Sequence, residues 1–124
     1  MRRLPDAEFE VMKAVWAIAP PITANRVLEQ LANAKHWRVQ TVITLLGRLV
    51  EHGFLQTEKK GKERTYLPCV TKEEYLRFET GCFIDQYHES SLTNLVNTLY
   101  NGKQITDSDV DELLAWAQQQ KEKL

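Results

Sequence analysis

Residues 38–68 read RVQTVITLLGRLVEHGFLQTEKKGKERTYLP. In the first half Val39, Val42, Ile43, Leu46 and Leu49-Val50 recur at three- and four-residue steps. That spacing predicts a helix over about 38–52 with this stripe turned inward. Gly53 follows His52 where a left-handed residue ends a helix. The pattern then changes. Leu55-Gln56-Thr57-Glu58 and Glu63-Arg64-Thr65-Tyr66-Leu67 are β-capable runs on either side of a polar turn, Lys59-Lys60-Gly61-Lys62, and Pro68 stops the second run. Such a pair reads as a hairpin.

Upstream, Phe9, Met12, Val15, Trp16 and Ala19 mark one face of a helix over 6–19, capped by Asp6 and ended by Pro20-Pro21. Thr23 caps a second helix, 24–34, with Val27, Leu28 and Leu31 inward, and Lys35-His36-Trp37 turns the chain. Three helices followed by a two-stranded wing form the winged helix-turn-helix arrangement. Trp16, Trp37 and Tyr66 belong to its packing.

Downstream, Thr71-Lys72-Glu73-Glu74 has the capping-box pattern and opens a helix of 72–88 carrying Tyr75, Phe78, Cys82 and Phe83. A helix of 91–100 holds Leu92, Leu95, Val96 and Leu99, and Asn101-Gly102 closes it. A last helix from Thr106-Asp107-Ser108-Asp109 to about 121 places Val110, Leu113, Leu114 and Ala117 inward. The fold class is mostly α: a winged helix-turn-helix domain, 1–70, followed by a three-helix domain, 71–124.

The 124 residues are 43% hydrophobic and 27% charged, a composition of folded domains rather than of disordered chains. No apolar run reaches the roughly 20 residues of a transmembrane helix. The opening residues lack the apolar stretch of a signal peptide, so a cytoplasmic location is expected. Cys69 and Cys82 read as small hydrophobes rather than as a disulfide, and no metal-ligand spacing occurs. The carboxylates Glu8 with Glu10, and Asp107, Asp109 and Asp111, sit at helix starts, where acids favour the macrodipole. His36, His52 and His88 lack a nucleophile at catalytic spacing, and no glycine-rich phosphate loop is present, so neither an enzyme nor a cofactor is expected.

Net charge is −1, but it is divided unevenly. Residues 1–70 carry 11 Lys and Arg against 7 Asp and Glu, a balance of +4, and residues 71–124 carry 5 against 10, a balance of −5. One half therefore suits a polyanion and the other does not. With the apolar stripe of 38–52 removed, Arg38, Gln40, Thr41, Thr44, Leu45 and Arg48 remain for an outer face. Arg pairs with guanine, Gln with adenine, and Thr with a phosphate or a thymine methyl. Lys59, Lys60, Lys62 and Arg64 put cations on the hairpin, where they add affinity without sequence information. Double-stranded DNA is the expected partner.

Three short helices bury too little surface alone. Their apolar residues either fold back on the winged helix or meet the same segment of a second chain; the second is expected, with Phe78, Phe83, Leu92, Leu95, Val96, Leu99, Leu113 and Leu114 at a dimer interface. A two-fold dimer doubles the bases read and spaces the half-sites by helical turns.

The chain resembles the penicillinase-repressor family and the related copper-responsive repressors. The likeness rests on DAEFEVMKAVW at 6–16, TANRVLEQL at 23–31, TVITLLGRLVEHGFL at 41–55, KGKERTYLP at 60–68 and DVDELLAWA at 109–117. It implies a homodimeric transcriptional repressor of palindromic operators, controlling β-lactam-resistance or related genes. By matching position, Arg38, Gln40, Thr41, Thr44 and Arg48 would face the groove and Lys60–Arg64 would be the wing. In the penicillinase branch a membrane-bound sensor protease acts upstream and cleavage follows at an Asn-Phe bond in the dimerisation region. The aligned position here is Thr98-Leu99, so the resemblance does not carry that bond over. Residues 83–124 contain no cysteine, which disfavours copper sensing. The alternative reading is a winged helix that docks another protein without sequence-specific DNA binding.

Overall fold

The computed structural model describes residues 1–32 and 36–124. The order is α1 (Asp6–Ala17), α2 (Ala24–Leu31), α3 (Val39–Glu51), β1 (Leu55–Lys60), β2 (Glu63–Pro68), α4 (Lys72–Tyr87), α5 (Leu92–Asn101) and α6 (Asp107–Glu122). The expected ends of α2 at residues 33–34, and Lys35 in the following turn, lie outside the described residues.

The chain divides into two units, Met1–Glu79 and Thr80–Leu124. The division falls nine residues beyond the expected boundary at 70, inside α4. The reason is packing: Tyr75, on the first turn of α4, is fully buried in the core of the first unit. Phe9, Trp16, Phe54 and Phe78 surround its ring at centroid distances of 5.7, 6.1, 5.8 and 6.3 Å. Its hydroxyl accepts the Leu4 amide proton at 2.7 Å. Phe78, expected at a dimer interface, thus packs against the first unit's core instead.

That core gathers Val11, Met12 and Val15 of α1, Val27 and Leu31 of α2, Val42, Leu45, Leu46 and Leu49 of α3, and Phe54, Leu55 and Tyr66 of the wing. Trp16 rests partly buried on it and donates from Nε1 to the Val70 carbonyl at 2.9 Å. Ile22 bridges Tyr66, adding a short third partner to the antiparallel hairpin.

Side-chain capping sets most helix starts. Thr23, Ser91 and Thr106 accept from Arg26, Asn94 and Asp109 amides at 3.2, 3.1 and 3.2 Å. Thr71 and Glu74 form the expected reciprocal box, at 3.1 and 3.4 Å. At α1 the cap is Pro5 rather than Asp6, which lies within the first turn with its charge toward the positive end of the helix. Gly53 takes φ 82° after α3, the left-handed conformation expected there.

The second unit has a different character. Among its described residues His88 alone is buried, held by Asn94 Oδ1 at 2.7 Å and by the Phe83 ring at 5.4 Å. Cys69 is exposed and Cys82 half-buried, both as free thiols, so only the second behaves as packing. Among the described residues no helix is long and apolar enough to cross a membrane.

Candidate nucleic-acid interface

The rotation of α3 decides which side chains it offers. Val42, Leu45, Leu46 and Leu49 turn into the core. Arg38, at the N-cap, and Gln40, Thr41, Thr44 and Arg48 are exposed, as expected. Three positions are corrected. Leu45, assigned to the outer face, is buried at 6% exposure, while Val39 and Ile43, assigned to the core, are 37% and 39% exposed. Each helical step turns about 100°. The core arc centred on Val42 and Leu49 therefore takes in Leu45 on one side and leaves Ile43 outside on the other.

Thr44 adds a chemical detail. Its hydroxyl donates to the Gln40 carbonyl at 3.0 Å. With that proton committed to the helix backbone, an acceptor oxygen and a methyl group are what it offers a partner.

The wing is longer than the sequence suggested. Its strands continue to Lys60 and from Glu63, so the turn is two residues, Gly61-Lys62. Gly61 has φ 63°, the sign that tight hairpin turns of this length demand. Cross-strand register puts Lys59 opposite Arg64 and Lys60 opposite Glu63. Arg64 is steadied by donating to Thr57 Oγ1 at 3.3 Å, and that hydroxyl donates in turn to the Thr65 carbonyl at 3.0 Å. Lys60 Nζ lies 4.0 Å from Glu58, an exposed pair worth little. Like charges directly opposed across two strands are unfavourable. The Lys59–Arg64 pairing therefore costs stability unless an anion sits against it.

Lys59, Lys62, Glu63 and Arg64 line an open cleft of about 380 Å³ with Thr23, Ala24 and Asn25 at the start of α2, Val39 and Ile43 of α3, and Tyr66, so three cations there outweigh one carboxylate. Burial pushes the Tyr66 phenol up, and the Arg64 guanidinium pulls against that shift. Arg26 is not available to this cleft's chemistry, because its guanidinium donates to the Ala19 carbonyl at 2.6 Å and to that of Pro21.

The second unit bears an apolar groove of about 620 Å³ lined by Leu92, Leu95, Val96, Leu99, Ile105 and Leu113, with Trp116 at its side and Asp109 and Glu112 at its edge. Leu92, Val110, Leu113, Leu114 and Trp116 stand 39–63% exposed. Val110, Leu113 and Leu114, expected inward, thus lack an interior within this unit. Phe83 stacks on Tyr87 at 5.1 Å and is 40% exposed. Trp116 was not singled out from the sequence, although it follows Leu113 by three residues on the same helical side. The Thr98–Leu99 bond lies inside α5, where the Thr98 hydroxyl donates to the Asn94 carbonyl at 2.9 Å, so a protease would have to unwind helix to reach it.

Three of the helix-start carboxylates have structural partners. Asp109 closes the Thr106 box, accepting from the Thr106 amide at 2.8 Å, and Asp107 accepts from the Tyr100 hydroxyl at 2.9 Å, which raises that phenol's pKa. Glu10 pairs with Lys13 at 2.9 Å. Glu8 departs from the helix-start reading. It is buried at 4% exposure, with Oε1 3.7 Å from His52 Nδ1 at the end of α3.

Three helices, a two-stranded wing bearing Lys59, Lys60, Lys62 and Arg64, and a third helix with exposed donors define a winged-helix protein. The chain belongs to the penicillinase repressor family, whose model matches residues 4–119. It is 28% identical over 116 residues to the penicillinase repressor of Bacillus licheniformis, covering 91% of this chain and 90% of that protein. It is 27% identical over 111 residues to the methicillin resistance regulatory protein MecI of Staphylococcus aureus, covering 89% of each. The solution structure of the DNA-binding domain of the repressor BlaI superposes with a TM-score of 0.50 at 33% identity, over 60% of this chain and 94% of that domain.

Proposed function

We propose that the chain is a transcriptional repressor that binds palindromic operator DNA as a homodimer, with α3 in the major groove and the wing on the neighbouring backbone. The observation that carries it is the Lys59–Arg64 pair sharing one cleft with Val39 and Ile43 of α3, a helix whose Gln40, Thr41, Thr44 and Arg48 are exposed. A phosphate chain relieves the repulsion between those two cations while α3 reads bases beside it. Membership of the repressor family supports the same reading, and relatives concerned with penicillinase and methicillin resistance favour resistance or related genes as its targets.

Dimerisation is supported by the second unit. Forty-five residues with a single buried side chain, and that one a histidine, gain their apolar burial from another surface. Leu92, Leu95, Val96, Leu99 and Leu113 supply it, with Trp116, Leu114 and Phe83 beside them.

Sites selected from random DNA by the full chain, then titrated by fluorescence anisotropy at several salt concentrations, test the proposal. A preferred palindrome with a steep salt dependence is expected. A flat salt response with no preference over random duplex overturns it.

A further inference from the structure

Val39 and Ile43 are the most apolar features of the candidate DNA-reading surface, and neither role given to α3 so far uses them. They stand one turn apart, so their side chains form a continuous ridge. Both are more than a third exposed, in a helix that buries Val42, Leu45, Leu46 and Leu49 completely or nearly so. A β-branched pair left out of an available core exposes apolar surface at a cost in free energy. The ridge also has a defined setting: it lines the same cleft as Lys59, Lys62, Arg64 and Glu63. Three cations against one carboxylate leave the cleft net positive and suit a duplex backbone, and the apolar ridge beside them then meets what that duplex presents at the groove edge. The apolar group that B-DNA presents in its major groove is the C5 methyl of thymine. Thr44, next to Ile43, directs its hydroxyl proton to the Gln40 carbonyl and so presents its methyl and an acceptor oxygen.

We infer that Val39 and Ile43 are specificity-determining residues that read thymine methyl groups in the operator. This inference rests on the proposed DNA-binding function. It adds a preference that Arg38 and Gln40 do not supply, since guanine and adenine carry no such methyl, and it assigns the methyl contact to Val39 and Ile43 ahead of the smaller methyl groups of Thr41 and Thr44.

The test replaces thymine by deoxyuridine, one position at a time, in a duplex selected by the full wild-type chain. Deoxyuridine pairs identically and lacks only the methyl. One or two positions per half-site should weaken binding about three- to fivefold, the worth of one buried methyl group. Ile43→Ala should weaken binding to the thymine duplex by a similar factor and show no further loss on deoxyuridine at the sensitive position, because the two changes remove the same contact. Val39→Ala provides a second, independent cycle, and thermal unfolding verifies that both variants fold. A wild-type chain that prefers its selected site yet ignores every thymine-to-uracil change overturns the inference and leaves the DNA-binding proposal standing. Losses that simply multiply in both cycles overturn it as well, since the methyl is then read by another residue. A chain with no preference for any duplex overturns both.

Discussion

Tyr75 shows how one side chain joins an element beyond the wing to the helices before it. Four aromatic rings surround it and its hydroxyl satisfies the otherwise unpaired Leu4 amide. Tyr75→Phe leaves that buried donor without an acceptor and should cost about 1–2 kcal/mol in denaturant unfolding. Desolvation by burial is the main cause that pushes the phenol from 10.0 up to about 12, with Glu79 adding to it and the Leu4 hydrogen bond opposing it. The sign follows directly. Below pH 10 the phenol is protonated whether folded or unfolded, and its contribution is complete. Between pH 10 and 12 the unfolded chain releases its proton first, so stability falls by about 2–3 kcal/mol. Unfolding curves across that range should show the decline in wild type and a shallower one in Tyr75→Phe. On the DNA side, Arg38→Ala should relax base preference at one position. Lys60→Ala should weaken all duplexes alike and reduce the salt slope by about 1 in anisotropy titrations.

At the scale of elements, the sequence was most legible where local chemistry decides. Thr23 and the Thr71–Glu74 box are signals contained in four residues, and the structure shows both hydrogen-bonded as the sequence implies. The wing was legible as a hairpin, but its turn was read two residues too long, because polar Lys59 and Lys60 look like loop and only cross-strand pairing makes them strand. The rotation of α3 was misread at Val39, Ile43 and Leu45. Seven of its thirteen residues are Val, Ile or Leu, so several choices of inward face satisfy the periodicity, and only contacts with α1 and α2 select one. Glu8 was opaque for a related reason, its neighbour His52 lying far along the chain. Of the candidate site, the exposed polar residues of α3 and the wing cations were readable from residue type, whereas the place of Val39 and Ile43 in the cleft lining was not. Gly47 lies on the exposed side of α3 with no atom near a would-be Cβ. Gly47→Ala should therefore raise stability by about 0.5–1 kcal/mol in thermal or denaturant unfolding.

For the whole molecule, the boundary inside α4 was beyond composition, which changes sign near residue 70, whereas packing ends near Glu79. Leu113→Asp places a charge in the apolar groove without touching the first unit's core. Sedimentation should find this variant monomeric, with operator affinity reduced at least about 100-fold while binding to a single half-site is kept. The second unit's want of a hydrophobic interior has a reach beyond DNA. In the proposed dimer, a lobe that completes its burial against another copy becomes firmer as the number of chains rises, by simple mass action. Its melting point should climb with protein concentration, and chains made in small numbers should be the ones that cellular proteases clear first. Gene dosage and turnover would then tune regulation with no small-molecule signal.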